Sequence, residues 1–166
     1  MPNLNNARIS PSGLTINDSL YVFGGANGVN SIERLNIKLN MQRQGDKFEV
    51  LDVKLPIAAS DIGLIPCLNP HEVLLVGGYS YLDQKSLNTV LKLTVKPTGS
   101  RSGMDGSQEH IEHQIEEVDG ADAMKADFFM ANNVVTMDGE TEACVIYGAQ
   151  YKHYFNGASF GESVPI

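Results

Sequence analysis

Short hydrophobic runs that end on glycine or alanine recur along the chain. Residues 19–25 read SLYVFGG, residues 72–78 read EVLLVGG, and residues 143–149 read ACVIYGA. Short runs of β-branched and aromatic residues bounded by glycine are typical of β-strands. The chain is therefore predicted to repeat one structural unit, each copy built around a strand of this kind.

Polar and apolar residues alternate in the segments that follow these runs. Residues 31–39 alternate almost regularly, and residues 47–55 place Leu51 and Leu55 on the same side. A period of two predicts half-buried strands. Residues 109–118 are ambiguous, because their apolar positions also fit one face of a helix. Further strands are predicted within residues 60–68, 86–95 and 126–137.

Turn-forming residues stand shortly before each of the three hydrophobic runs that end on glycine or alanine, at residues 16–18, 68–71 and 137–140. Asn and Asp at such places are typical of hairpins. Residues 97–108, PTGSRSGMDGSQ, are rich in Gly and Ser and are predicted to form a long mobile loop. Each unit then has four short strands over roughly fifty or more residues, and a period of that size predicts the blades of a β-propeller.

The first unit resembles a kelch repeat. Kelch repeats carry an arginine on the first strand, a hydrophobic run that ends in Gly-Gly, and a third strand with an acidic residue ahead of an aromatic one. Arg8, the run at residues 20–25 and Glu33 match these features. Leu35 and Phe48 stand where the family usually has Tyr and Trp. The resemblance is therefore specific in the first unit, although incomplete.

The later units resemble the family less closely. The second keeps its glycine pair but lacks the Arg, Tyr and Trp, and the third keeps Tyr147 and Gly148 with Ala149 in place of the second glycine.

At the end of such a strand the chain must turn close against the adjacent backbone, where a Cβ atom would clash. The residues expected to form this structural motif are Arg8, Gly24, Gly25, Gly77, Gly78 and Gly148. For Arg8, a structural role and a binding role both remain open.

The resemblance implies an all-β fold, a partial kelch-type β-propeller of four-stranded antiparallel blades. It divides the chain into blades at residues 1–54 and 55–122 and a degenerate, incomplete blade at 123–166, which is expected to lack its outer strand. Three blades cannot close a ring, because edge strands would remain bare on both sides. We therefore expect either a piece of a larger propeller or a ring completed by another polypeptide.

Composition narrows the class of partner. The chain of 166 residues carries a net charge of −8, which argues against nucleic acid or an anionic membrane as the main partner. No apolar run approaches the roughly 20 residues that span a bilayer, and the first ten residues do not resemble a signal peptide. Cys67 and Cys144 lie in apolar stretches. These features predict a cytoplasmic protein with buried, reduced thiols.

No catalytic motif stands out in the sequence. A nucleophile elbow, a P-loop, an H-E-x-x-H zinc motif and a C-x-x-C pair are all missing. His110 and His113 could share a metal only on a helix, since on a strand they point in opposite directions. Their acidic neighbours favour a solvated face. We therefore predict no catalytic residue, no metal and no cofactor, and we expect that the chain is not an enzyme.

Loops on one face of the disc are the predicted binding surface. Successive antiparallel strands reverse direction, so residues 26–30, 79–85 and 150–156 would lie on one face together with the linkers between blades. Tyrosine is favoured at interfaces because it buries a large area at a low cost in entropy. The predicted partner contacts are Tyr79, Tyr81, Leu82, Tyr151, His153 and Tyr154. For any one of these rings, packing under its own blade is the open alternative.

The resemblance implies a protein-protein interaction module, a scaffold that presents propeller loops to another protein. One alternative is a structural subunit of a large assembly, with edge strands paired to neighbours. A lesser alternative is an oxidase or a lyase built on a propeller. Copper oxidases on kelch-like propellers use Tyr and His ligands, but a second His and a Tyr–Cys pair are not identifiable here.

Overall fold

Three four-stranded antiparallel sheets follow one another along the chain; the first and third are simple meanders, and the second is a meander with a small hairpin inserted. The computed structural model describes residues 2–38, 47–98, 111–118, 134–136, 143–148, 150–156, 159–161 and 163–166, and of residues 134–136, 143 and 144 the backbone alone. The all-β class predicted from the alternating patterns is confirmed.

The first sheet has the order β1-β2-β3-β4. Its strands are β1 (Ser12–Ile16), β2 (Ser19–Phe23), β3 (Ser31–Asn36) and β4 (Glu49–Lys54). Asn17 adopts a positive φ of 52° in the tight turn between β1 and β2, as asparagine does readily. Three of the predicted strands and the predicted hairpin are therefore present.

The second sheet contains an inserted hairpin. Its first two strands are β5 (Gly63–Pro66) and β6 (Glu72–Val76); a small two-stranded sheet of β7 (Tyr79–Ser80) and β8 (Lys85–Ser86) comes next, and β9 (Val90–Pro97) and β10 (Ile111–Glu117) complete the order β10-β9-β6-β5. The ambiguous segment at 109–118 is a strand from residue 111, because β10 pairs with β9 along its whole length. Most of the predicted loop at 97–108 lies outside the described residues.

The third sheet is formed by β11 (Val134–Thr136), β12 (Ala143–Tyr147), β13 (Tyr151–Asn156) and β14 (Val164–Pro165). We expected this unit to lack its outer strand, and that expectation is wrong. Lys152 of β13 pairs with Val164, and Tyr151 pairs with Pro165. The fourth strand is only two residues long, which is too short for its sequence to show an alternating pattern. The predicted turn at 137–140 lies outside the described residues.

Apolar clusters join successive sheets face to face. The largest combines Tyr21, Phe23 and Ile32 of the first sheet with buried aliphatic residues of the second, such as Leu75 and Leu93. A second cluster joins the second sheet to the third, and a smaller one covers the far side of the first sheet. β1 contacts β5, β5 contacts β11, and β4 contacts β10. Corresponding strands of successive sheets therefore lie beside one another.

The glycine pairs turn the chain where it passes close to other backbone. Gly24 and Gly25 have φ values of 56° and 132°, and Gly77 and Gly78 have φ values of 60° and 103°. A Cβ atom on Gly24 would overlap the carbonyl oxygen of Ala59. The clash expected from the sequence is therefore confirmed at Gly24.

Candidate functional site

Three segments meet at one end of the sheets: residues 24–30 between β2 and β3, the linker at residues 55–62 between the first two sheets, and residues 79–86 between β6 and β9. We call these segments together the loop face. The backbone amide of Gly25 donates to the carbonyl oxygen of Ala59 at 2.8 Å, and Leu55 donates to Asn30 at 2.9 Å. Ser60 and Tyr79 exchange two further backbone hydrogen bonds, of 2.9 and 3.0 Å. The loop face is therefore tied together by backbone hydrogen bonds.

The inserted hairpin carries the most exposed apolar side chains of the loop face. Tyr81 is 51% exposed and Leu82 is 74% exposed. Tyr79, which is half-buried, supports Tyr81 edge to face, with ring centroids 4.9 Å apart. The turn is braced because the backbone amide of Asp83 donates to the hydroxyl oxygen of Ser80 at 3.2 Å. The structure thus brings Tyr79, Tyr81 and Leu82 together on one hairpin.

The residues predicted as a loop at 150–156 form β13 instead. The hydrogen bond from the amide of Gly148 to the carbonyl oxygen of Tyr151, at 2.9 Å, closes a short connection between β12 and β13. Tyr151 is half-buried and Tyr154 is 40% exposed on the opposite side of the strand. The third sheet lacks an inserted hairpin at this place, so these tyrosines belong to a sheet and not to the loop face.

His153 was predicted to contact a partner, and its position in the structure contradicts that prediction. Its side chain is completely buried, and its Nδ1 atom lies 2.8 Å from the hydroxyl oxygen of Ser163. Side chains alternate along a strand, and His153 shares its side of β13 with Phe155, which packs against the second sheet. A partner cannot reach His153 without separating these sheets.

Arg8 and Glu33 form a buried ion pair beneath the first glycine pair. The Nη2 atom of Arg8 lies 2.8 Å from Oε1 of Glu33, and both side chains are fully buried. The Nη1 atom donates to the carbonyl oxygens of Gly24 and Ser31, at 2.5 and 2.9 Å. Of the two roles left open for Arg8, the structure supports the structural one.

The N-terminal segment completes the environment of Glu33. The backbone amides of Asn5 and Asn6 donate to its two carboxylate oxygens at 2.6 and 3.0 Å. Burial by itself would raise the pKa of Glu33, but these amides and the Arg8 guanidinium outweigh it and lower the pKa to about 2. Glu33 is therefore ionised near neutral pH, and its charge holds the N-terminal segment against the first sheet.

A second polar contact, which is partly buried, joins the first two sheets through His113. The hydroxyl oxygen of Tyr21 lies 3.1 Å from Nε2 of His113, and the two rings meet edge to face. Burial raises the pKa of Tyr21 to about 12. Burial, helped by the positive charge of Arg34, lowers the pKa of His113. His113 is thus a neutral partner of Tyr21, while His110 lies outside the described residues.

Within the part of the chain that the structure describes, no group of three or more His, Cys, Asp or Glu side chains is arranged to hold a metal ion. No described segment forms a helix long and apolar enough to cross a membrane. Cys67 is half-buried, not fully buried as predicted, and the side chain of Cys144 is not among the described parts.

A small apolar pocket of about 20 Å³, which no sequence pattern predicted, lies beneath the second glycine pair. Ala59, Gly77, Thr89 and Leu91 line it, together with residues of the linker such as Ile57. The signal that could have revealed it is a substitution between units, because the second unit lacks the arginine of the first. No protein-family model matches this chain, and comparison with curated proteins finds no significant relative.

Proposed function

We propose that the chain is a protein-protein interaction module whose loop face binds another protein. The supporting observation is the inserted hairpin, which holds Tyr81 and Leu82 in solvent on a braced turn. Exposed aromatic and aliphatic side chains that are already held in place lose little entropy on binding, and such groups contribute strongly to interfaces. The net charge of −8 favours a protein partner over nucleic acid.

The architecture that we propose is part of a kelch-type β-propeller. Successive four-stranded meanders pack face to face, and corresponding strands lie side by side from one sheet to the next. Repeated sheets that pack in this way are typical of propellers. The buried Arg8–Glu33 pair and the glycine corners agree with the kelch-like motif of the first unit.

Site-specific photo-crosslinking in cells tests the proposed function. The photoreactive residue p-benzoylphenylalanine is placed at position 81, and in a matched control at position 68. Leu68 is 58% exposed but lies in the β5–β6 turn, at the other end of the strands. We expect a discrete crosslinked protein from position 81 and none from position 68. Equal crosslinking from both positions, or from neither, would argue against binding through the loop face.

A second candidate, a structural subunit of a larger assembly, rests on the outer face of the third sheet. Tyr147 and Tyr154 are 38% and 40% exposed there. Phe23 and Arg34 stand at the matching strand positions of the first sheet, where Phe23 is completely buried and Arg34 is half-buried. A further sheet that packs on this face would bury the tyrosines. Light scattering of the purified chain tests this candidate: a defined oligomer supports it, and a stable monomer argues against it.

A further inference from the structure

The first two sheets correspond residue by residue, and so do their outer strands. Two backbone hydrogen bonds of each sheet match in position: Gly24 to Ser31 with Gly77 to Thr89, and Ala26 to Ile9 with Tyr79 to Ser60. Counting from these bonds, Ala59 takes the position of Arg8, and Leu91 takes the position of Glu33. β4 ends the order of the first sheet, and β10 ends that of the second. The two strands are therefore equivalent outer edges and can be compared directly.

β10 has a longer and more regular outer edge than its counterparts. The pairing of β4 with β3 shifts in register between Ser31 and Glu33. β14, the outer strand of the third sheet, has only two residues. β10 instead pairs with β9 without a shift over all seven of its residues. Breaks in register and short strands protect an edge from pairing with another chain, and β10 has neither.

The backbone groups at the open edge of β10 can be assigned. The amide of Val118 donates to the carbonyl oxygen of Val90 at 3.0 Å, so the backbone of residue 118 points towards β9. Backbone groups of successive residues in a strand point to opposite sides, so those of Glu112, Gln114 and Glu116 also point towards β9. The residues whose amides and carbonyl oxygens point outwards are Ile111, His113, Ile115 and Glu117. In the part of the chain that the structure describes, no strand pairs with this edge.

One face of β10 leaves the largest apolar cluster incompletely covered. His113 lies on this face and contacts Tyr21 of the first sheet. Ile111 and Ile115 share the face; they pack against the cluster but are only partly buried. Val53 of β4, the strand that contacts β10, is also partly buried at the same cluster. Apolar side chains of a strand added beside β10 would cover this margin.

The opposite face of β10 is acidic, with Glu112 and Glu116 both exposed. Glu116 binds Lys92 through one carboxylate oxygen, at 2.9 Å. Lys96 stands directly across from Glu112 but donates to Gln114, at 2.9 Å. Opposite charges across two strands attract, and like charges repel. Two copies of β10 paired antiparallel in full overlap would set Glu112 against Glu116, so charge favours a basic strand over a second copy.

We propose that β10 binds an extended segment of another protein, which joins the second sheet as an antiparallel strand and alternates basic with apolar residues. Its basic residues lie opposite Glu112 and Glu116, and its apolar residues lie opposite Ile111 and Ile115. In strand addition, main-chain hydrogen bonds provide affinity and alternate side chains provide specificity. The net charge of −8 also favours a basic segment. This site runs along the side of the second sheet, so it does not rest on the function proposed for the loop face.

A synthetic peptide of the same length as β10 tests the proposal. The capped sequence Thr-Lys-Val-Thr-Val-Lys-Val sets Lys opposite both glutamates and Val opposite Ile111, His113 and Ile115. We expect saturable binding to the isotopically labelled chain by nuclear magnetic resonance, with slower hydrogen exchange at the amides of these three residues. A peptide with Glu in place of Lys should bind at least about ten-fold more weakly. Absence of saturation at β10, or equal binding of the two peptides, would overturn the proposal.

Hydrogen exchange of the chain without peptide tests whether the edge is open. The outward amides of His113 and Ile115 should exchange faster than those of Gln114 and Glu116, which point towards β9. Equally slow exchange in dilute solution would mean that another segment of this chain already pairs with β10. Protection that develops only at high protein concentration would mean that a second copy pairs there. Either result would contradict the proposal.

Methylation of single peptide amides tests the register. The amide of the central Val, opposite His113, should point towards β10, and the amide of the central Thr, opposite Gln114, should point away. N-methylation of that Val should weaken binding by at least about ten-fold, whereas N-methylation of the Thr should change it little. Equal effects of the two modifications would show that the peptide does not add as a strand in this register, and the proposal would fail.

A charge exchange tests the acidic face. Glu112→Lys should weaken binding of the Lys peptide by at least about three-fold, and Glu in the peptide at the position opposite residue 112 should restore it. Asp52→Lys is the matched control, because it makes the same change in net charge at an exposed position of β4. Equal weakening by the two variants would mean that general attraction between charges, and not pairing beside β10, binds the peptide.

Discussion

The first sheet has a buried ion pair under its glycine pair, Arg8 with Glu33, whereas the second has Ala59 and Leu91 at the same positions. Each glycine pair forms a turn that we call a corner. The backbone hydrogen bonds around the two corners correspond, and so do the positive φ values of their glycines. The comparison indicates that backbone hydrogen bonds and glycine conformations define the corner. The side chains beneath it differ, a charged pair in the first sheet and an apolar pair in the second, and a small pocket lies beside the apolar pair.

Breaking the ion pair from one side should have the largest effect. Glu33→Leu leaves the Arg8 guanidinium buried without its carboxylate, and we expect the free energy of unfolding to fall by about 3–5 kcal/mol. Urea denaturation measures this loss. The double variant Arg8→Ala/Glu33→Leu copies the second sheet and should lose less, because no unpaired charge remains. Equal losses in the two variants would show that the first corner does not tolerate an apolar pair.

Low pH should lower the free energy of unfolding by protonating the carboxylate of Glu33. The pKa of Glu33 in the folded chain is about 2. In the unfolded chain it should be about 4.3, so between these values the unfolded state binds more protons. The stabilisation is complete above the unfolded pKa and is lost as pH falls through the folded one, by about 3 kcal/mol in total. The stability of the unaltered chain should therefore fall more steeply below pH 4.3 than that of Arg8→Ala/Glu33→Leu; parallel pH curves would contradict this.

A side chain at Gly24 should destabilise the fold, and this effect does not involve the ion pair. Gly24→Val forces a β-branched residue to a φ of 56° and against the Ala59 carbonyl, so we expect a loss of about 2–3 kcal/mol in urea denaturation. Gly28→Val is the matched control, with a φ of 75° but no contact closer than 3.6 Å for its Cβ. It should lose only about 1 kcal/mol. A similar loss at both positions would show that the clash is unimportant.

The smallest effect is expected from the neutral polar contact between the two sheets. Tyr21→Phe removes the hydroxyl group that bonds His113 at 3.1 Å and leaves the ring packing intact. We expect a loss of about 1 kcal/mol, measured by urea denaturation, because a neutral hydrogen bond contributes about that much. A loss as large as that of Glu33→Leu would mean that neutral and charged buried pairs matter equally here.

The strands of the first two sheets could be predicted from the sequence because their periodicity and glycines are local signals. Alternation located β3 and β4, and Asn17 marked a hairpin. The segment at 109–118 remained ambiguous, because Ile111 and Ile115 satisfy the period of a strand and also that of a helix. Its hydrogen-bonded pairing with β9 makes it a strand. Pairing between separate segments cannot be seen in the sequence of either segment alone.

The candidate site was only partly predictable. Tyr79, Tyr81 and Leu82 were expected on the loop face and lie there. His153 was misplaced because the length of the connection after Gly148 was not apparent from its composition. The pocket was missed because it depends on a side chain that is shorter than its counterpart in the preceding unit. The absence of the arginine was visible in the sequence, but the residue that takes its place can be identified only when the units are aligned by their hydrogen bonds.

The linker also couples the folding of the sheets that it joins. Its Ala59 carbonyl accepts a hydrogen bond from Gly25, which follows β2 of the first sheet. The neighbouring Ser60 carbonyl accepts one from Tyr79, in the hairpin inserted into the second sheet. The amide of Asp61 donates to the carbonyl oxygen of Ser10, so the linker is also joined to the segment that precedes β1. In a linear array with coupling between nearest neighbours, loss of one unit removes interface energy from the next. Local opening of either sheet should therefore spread through this segment, and the two sheets should unfold as one cooperative unit.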